Sequence, residues 1–181
     1  SDKILQQRLK AERLHARKDY EASFHTYLDL MARPLDQMVS QGSSPVQVRL
    51  DLWLAGRIGD LWKETPEELR AKLDAAIQEK AEASLNASPA DRQRFALVFE
   101  FHPASAAVRR QCAEDSAKAG DVIAAERILL ELQNHADPSV QAAATERLGR
   151  LWTELKRPAD AGHFYQQHEQ RWPGQTLESG E

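Results

Sequence analysis

The stretch Ala119-Gly120-Asp121-Val122-Ile123-Ala124-Ala125-Glu126-Arg127-Ile128-Leu129-Leu130-Glu131-Leu132 decides the fold. Asp121 is a helix-capping residue type. Val122, Ala125, Leu129 and Leu132 then recur at steps of three and four, along one helical face. Asp137-Pro138 restarts the chain. The same grammar occurs twice more. Tyr20, Ser23 and Tyr27 follow Asp19, with Pro34 downstream; Pro158, Ala161 and Tyr165 follow Arg157, with Pro173 downstream. Three copies of an entry residue, a small residue three later, a large residue seven later and a closing proline predict repeated helical hairpins.

Working outward, the remaining segments read as helices too. Residues 4–17 and 20–33 form one pair, with a kink at Pro34 and a short continuation to Gln41, followed by a Gly42-Ser43-Ser44 loop. Prolines then act as start signals. Ser44-Pro45, Thr65-Pro66, Ser88-Pro89 and Asp137-Pro138 each pair an N-cap residue type with proline at the first helical position. His102-Pro103 and Arg157-Pro158 are weaker versions. Helices are therefore expected at 45–63, 66–85, 89–101, 103–118, 138–156 and 158–172. Phe95, Leu97, Phe99 and Phe101 alternate as a strand would, but Ser88-Pro89 starts a helix and no partner strand is evident, so helix is preferred. The chain is expected to be all-α, with about nine helices in a right-handed α-α superhelix of stacked hairpins. It reads as one helical-repeat domain over 1–173, cut from a larger protein, with a polar tail at 174–181.

With 181 residues, 41% hydrophobic and 29% charged, the chain can bury a sizeable core. A net charge of −4 argues against nucleic acid as partner, since that needs a basic face. One cysteine excludes an internal disulfide, and no apolar run reaches the ~20 residues of a membrane span. Oligomeric state is not legible.

The triplets Tyr20/Ser23/Tyr27, Val122/Ala125/Leu129 and Pro158/Ala161/Tyr165 resemble the second helix of the tetratricopeptide repeat. That helix opens on a large residue, carries a small one three later and an aromatic four after that, and ends before proline. The first-helix pattern Trp-x-x-Leu-Gly-x-x-Tyr is absent, although Leu148-Gly149 and Trp152 echo it. The resemblance covers residues 4–34 and 104–173; residues 45–101 depart from it. The run from Ala119 through Asp137-Pro138 to Arg157-Pro158-Ala159-Asp160-Ala161 and Arg171-Trp172-Pro173 also resembles a helical region of large bacterial proteins with pyrroloquinoline-quinone-type β-propeller repeats. That resemblance implies an exported, periplasmic or outer-membrane-associated parent protein; without it, a cytoplasmic one is expected.

Catalytic signatures are missing: there is no Gly-x-Ser-x-Gly, Walker loop, dinucleotide fingerprint or His-Glu-x-x-His. Gly56-x-x-Gly59 suits close helix packing better than phosphate binding. Glu12 and His15 are spaced like half of a di-iron motif, but a second copy is absent. Arg8, Lys10, Arg13, Arg17 and Lys18 read as a solvated basic face, Cys112 as a buried thiol and His168 as a packed histidine. No catalytic, cofactor or metal residue is assigned.

One residue breaks its local pattern. Trp53 falls among Arg49, Arg57, Asp60 and Glu64 at helical spacing, on the polar side of an otherwise apolar helix. It is either packed under a neighbouring helix with arginine stacked on the indole, or an exposed anchor for a partner, with Arg49 and Arg57 beside it. The expected function is a non-catalytic scaffold that binds proteins, peptides or other domains of its own chain. The alternative is the helical part of an exported propeller or cofactor-binding enzyme with its active site elsewhere.

Overall fold

A computed structural model describes residues 2–33, 37–40 and 46–174. Among these the fold is all-α, with nine helices and one two-stranded sheet. In order they are α1 (Asp2–Ala16), α2 (Tyr20–Met31), β1 (Met38–Ser40), β2 (Gln47–Arg49), α3 (Leu50–Glu64), α4 (Glu67–Leu85), α5 (Pro89–Val98), α6 (Ser105–Lys118), α7 (Val122–Leu132), α8 (Pro138–Glu154) and α9 (Pro158–Arg171). The chain divides into two compact units, Ser1–Ser105 and Ala106–Glu181.

Three hairpins, α1–α2, α6–α7 and α8–α9, share one turn. Lys18, Gly120 and Lys156 each take a left-handed backbone, with φ of 61°, 82° and 58°. The next residue caps the second helix: Asp19 at φ −85°, ψ 71°; Asp121 at −84°, 73°; Arg157 at −113°, 72°. Each cap N–H reaches back five residues to a carbonyl of the first helix: Asp19 to Leu14 (3.0 Å), Asp121 to Ser116 (2.9 Å) and Arg157 to Trp152 (2.9 Å). This is the hydrogen-bonding pattern of a left-handed helix C-terminus. The Asp19 and Asp121 carboxylates also accept from the N–H groups of Ala22 (3.3 Å) and Ala124 (3.0 Å). The repeat seen in the sequence is thus a repeat of backbone geometry.

The small residues are where the paired helices meet. In α1–α2, Ser23 donates to the carbonyl of Ala11 at 2.9 Å, and neither residue is exposed. In the second unit Ala113 and Ala125 share a core with Leu129, Leu132, Leu148 and Leu151. In α8–α9 the Tyr165 ring lies so close over Gly149 that a Cβ there would sit 2.8 Å from it, and Ala161 is buried. Ile123, off the α7 stripe, is 79% exposed. The core of the first unit comprises Phe24, Tyr27 and Leu30 of α2, Leu54, Ile58 and Leu61 of α3, Leu73 and Ile77 of α4, and Phe95 and Val98 of α5, with Phe99 just after it.

The structure differs from the sequence reading in five places. Met38 and Val39 do not continue α2, and residues 47–49 do not begin α3: they pair as an antiparallel hairpin, Met38 with Arg49, Val39 with Val48 and Ser40 with Gln47. The β-branched Val39 and Val48 suit that pleat, Val39 is buried, and Leu50 N–H closes onto Gln37 O at 2.8 Å. Second, Thr65 does not cap α4; its hydroxyl bonds back to Leu61 O (2.7 Å), and Pro66 is the N-cap without a side-chain bond. Ser88 and Asp137, by contrast, do cap α5 and α8. Third, α5 ends at Val98, and residues 99–101 form a turn that stacks Phe99 against Phe95 and Phe101. Fourth, α6 begins at Ser105, two residues after Pro103. Fifth, Gly59 is packed, 3.6 Å from the Phe101 ring by its would-be Cβ, but Gly56 faces open space. The expectations at Pro34, Gln41, Gly42-Ser43-Ser44 and Pro45 lie outside the described residues.

Candidate functional site

Trp53 is the residue the sequence singled out, and it is 5% exposed. It packs edge-to-face against Tyr27 of α2, with ring centroids 5.8 Å apart. The Arg8 guanidinium lies 4.3 Å over the indole and that of Arg57 lies 5.6 Å away. The packed reading therefore describes its geometry, while its neighbour Leu52 is 49% exposed. Arg57 joins Trp53 as expected. Arg49 does not: it pairs with Asp51, whose carboxylate also accepts from Leu52 N–H at 2.7 Å.

Arg8 is the member that sequence reasoning missed. It was grouped with a solvated basic face, yet it is 6% exposed. Its head donates to Ser40 O of β1 at 2.7 Å, and desolvation lowers its pKa, opposed by the nearby Glu12 charge. The same burial, with Glu12 close by, raises the pKa of Tyr27. Arg8, Glu12 and His15 lie at i, i+4 and i+7 along α1 and meet three residues of α3. Arg8 covers Trp53, Glu12 pairs with Arg57 (3.4 Å), and His15 with Glu64 (3.0 Å). Glu12 and His15 are thus spent on helix pairing. No local signal in α1 marks this, because the partners are about fifty residues away. The buried Nε of Arg8 and Nε1 of Trp53 are touched by no solvent and have no hydrogen-bond partner. The Arg8–Trp53 stack is sealed, and its chemistry is cohesive: a desolvated cation–π stack contributes about 2 kcal/mol.

A second polar cluster ties α3, α4 and the turn before α6. Asp74 Oδ1 accepts from Trp62 Nε1 at 2.6 Å and lies 3.2 Å from His102 Nε2. Ala104 N–H donates to His102 Nδ1 at 3.1 Å. A backbone N–H can only donate, so Nδ1 is the acceptor and Nε2 carries the proton toward Asp74. With both ring nitrogens committed, His102 pins the turn. The remaining sequence candidates are structural: Cys112 and His168 are buried, the latter against Trp172 at 5.6 Å. Among the described residues no group of three His, Cys, Asp or Glu is placed to hold a metal ion, and no helix is long and apolar enough to cross a membrane.

The second unit carries an open site. Between α6 and α8, Ala106, Ala107, Leu132, Val140, Ala143 and Ala144 line a hollow of about 170 Å³, with Arg110 and Ser139 at its edge. Small side chains on both helices leave the space, and buried Leu132 of α7 closes its floor. One turn further along the seam, Arg147 of α8 bonds both carboxylate oxygens of Glu114 on α6 and approaches Glu154 at 3.4 Å. The Glu114 hydrogen bond raises the pKa of Arg147 against the desolvation that lowers it. This ion pair links α6 to α8 across the seam. No protein-family model, characterised protein or solved structure matches the chain.

Proposed function

We propose that the chain is a non-catalytic interaction module whose α6–α9 unit binds a protein or peptide segment. The carrying observation is the α6/α8 hollow: an apolar concavity open to solvent, beside an arginine that makes no ion pair or hydrogen bond among the described residues. Apolar concavities with a few polar groups at the edge are the usual form of binding sites. Three hairpins with one turn geometry and a small residue at each close approach support a tetratricopeptide-like reading, in which hairpins stack as a right-handed superhelix. The sealed Trp53 cluster belongs to the scaffold in this reading; the outward edges of Arg49 and Arg57 are the only parts of that candidate site a partner could reach. Crosslinking mass spectrometry of the protein in its cell tests the proposal. Crosslinks from Lys118 or Lys156 of the second unit to a protein or to another domain of the same chain are expected; none at all would overturn it.

A further inference from the structure

The size and charge of the α6/α8 hollow narrow what it holds, an inference that rests on the interaction-module reading. About 170 Å³ is well below the ~300–1,000 Å³ of small-molecule and cofactor sites. It is close to the ~150 Å³ that accommodates a benzene-sized apolar group. The space therefore fits one side chain rather than a cofactor. The floor is made by Ala106, Ala144 and Leu132, all buried, and supplies no polar partner. The hydroxyl of Ser139 is already donated to Asp137 at 2.8 Å.

The charges along the seam are uneven. Arg147 is neutralised by Glu114 and Glu154. Arg110 lines the hollow, is exposed, and makes no ion pair among the described residues. The N-terminus of α8, next to Ser139 and Val140, adds partial positive charge. Asp137, two residues before Ser139, is engaged in capping that same end, accepting from Ser139 N–H at 2.8 Å, and Glu114, one turn along α6 from Arg110, is held by Arg147. An arginine at the lip of an apolar hollow favours a carboxylate, which it can engage through two parallel N–H bonds. We propose that the hollow takes one aliphatic or aromatic side chain of a peptide segment whose neighbouring residue is acidic, with that carboxylate on Arg110.

The test is a phage-displayed random 12-mer library selected on the full chain, followed by fluorescence anisotropy of the enriched peptides as synthetic probes. Enriched peptides should share an aliphatic or aromatic residue next to Asp or Glu. Two surface variants then separate the elements. Arg110→Glu should weaken binding at least tenfold, and more at low salt. Ala107→Leu, which fills the hollow from an exposed position, should weaken it comparably. Replacing the acidic residue of the probe by Lys should abolish binding to the unaltered chain and restore part of it to Arg110→Glu. Peptides that bind both variants as well as the unaltered chain would overturn this site and ligand class while leaving the module reading intact. Failure to enrich any peptide, together with an absence of crosslinks, would overturn both.

Discussion

Replacing Ala125 by leucine adds three heavy atoms at a position with no exposed surface, in the core shared with Ala113, Leu129 and Leu148. The hairpin turn fixes the approach of α7 to α6, because Asp121 N–H is held to Ser116 O at 2.9 Å. The added volume must therefore be absorbed by displaced side chains. Overpacking of this kind costs roughly 1–3 kcal/mol. At about 2–4 °C per kcal/mol for a chain of this size, Ala125→Leu should lower Tm by roughly 2–12 °C. Ala124, one position round the helix, is half-buried, outside that core, and has room to direct a larger side chain outward. Ala124→Leu should shift stability by no more than about 0.5 kcal/mol, as is usual for such sites. Ala161, also buried, should behave like Ala125. Thermal denaturation of the three single variants, followed by circular dichroism at one pH and protein concentration, decides the matter. Equal Tm values for Ala124→Leu and Ala125→Leu would refute the register in which the small residue faces the paired helix.

Four further outcomes are expected. Gly149→Ala should destabilise, because its Cβ would fall 2.8 Å from the Tyr165 ring, whereas Gly56→Ala, with open space around it, should stabilise by about 0.5–1 kcal/mol through helix propensity; chemical denaturation of both compares the signs. Lys18→Gly and Lys156→Gly should each raise stability by about 1 kcal/mol, since both residues hold a positive φ that glycine adopts without strain; unchanged or lower midpoints would contradict the shared turn. Asp137 has a pKa held below the usual carboxylate range by the Ser139 hydroxyl and N–H groups. Its folded pKa is depressed, so its stabilisation is complete above the unfolded value and is lost as pH falls through the folded one. The Tm difference between the unaltered chain and Asp137→Ala should accordingly persist at neutral pH and shrink as pH falls below the ordinary carboxylate range. Nitrogen-15 NMR should find neutral His102 as the Nε2–H tautomer, and Asp74→Ala should increase hydrogen exchange at Ala104 and Ser105; an Nδ1–H tautomer would contradict the assigned bonds.

The helical pairs were legible because their signals are local. Asp19, Asp121, Ser88 and Asp137 cap within three residues, and the stripe of Val122, Ala125, Leu129 and Leu132 needs only its own period. What failed depends on distant partners. Val39 and Val48 form strands because they face one another, a pairing no helical periodicity announces. Trp53 stays open between a packed and an exposed reading because its neighbours on α3 are charged, and it is Arg8 and Tyr27 from two other helices that cover it. Arg8 looked solvated for the complementary reason. Thr65 had the spelling of an N-cap, but the carbonyl of Leu61 one turn earlier claimed its hydroxyl. The hollow beside Arg110 was invisible, since it is made by what alanines on two helices leave empty.

The shared turn also governs where this chain can change length. With one left-handed residue and a backbone bond spanning five positions, the connection between paired helices has no slack. Inserting or deleting a single residue there would rotate the second helix by about 100° against the first and carry its small residue away from the contact. Length variation is thus expected to be disfavoured at 17–19, 119–121 and 155–157. It is expected to be better tolerated between hairpins, as at 133–137, where α7 ends and Asp137 begins a new helix with its own cap. The hairpin turns act as phase markers, and insertions that respect the fold are expected to accumulate on the linkers between them.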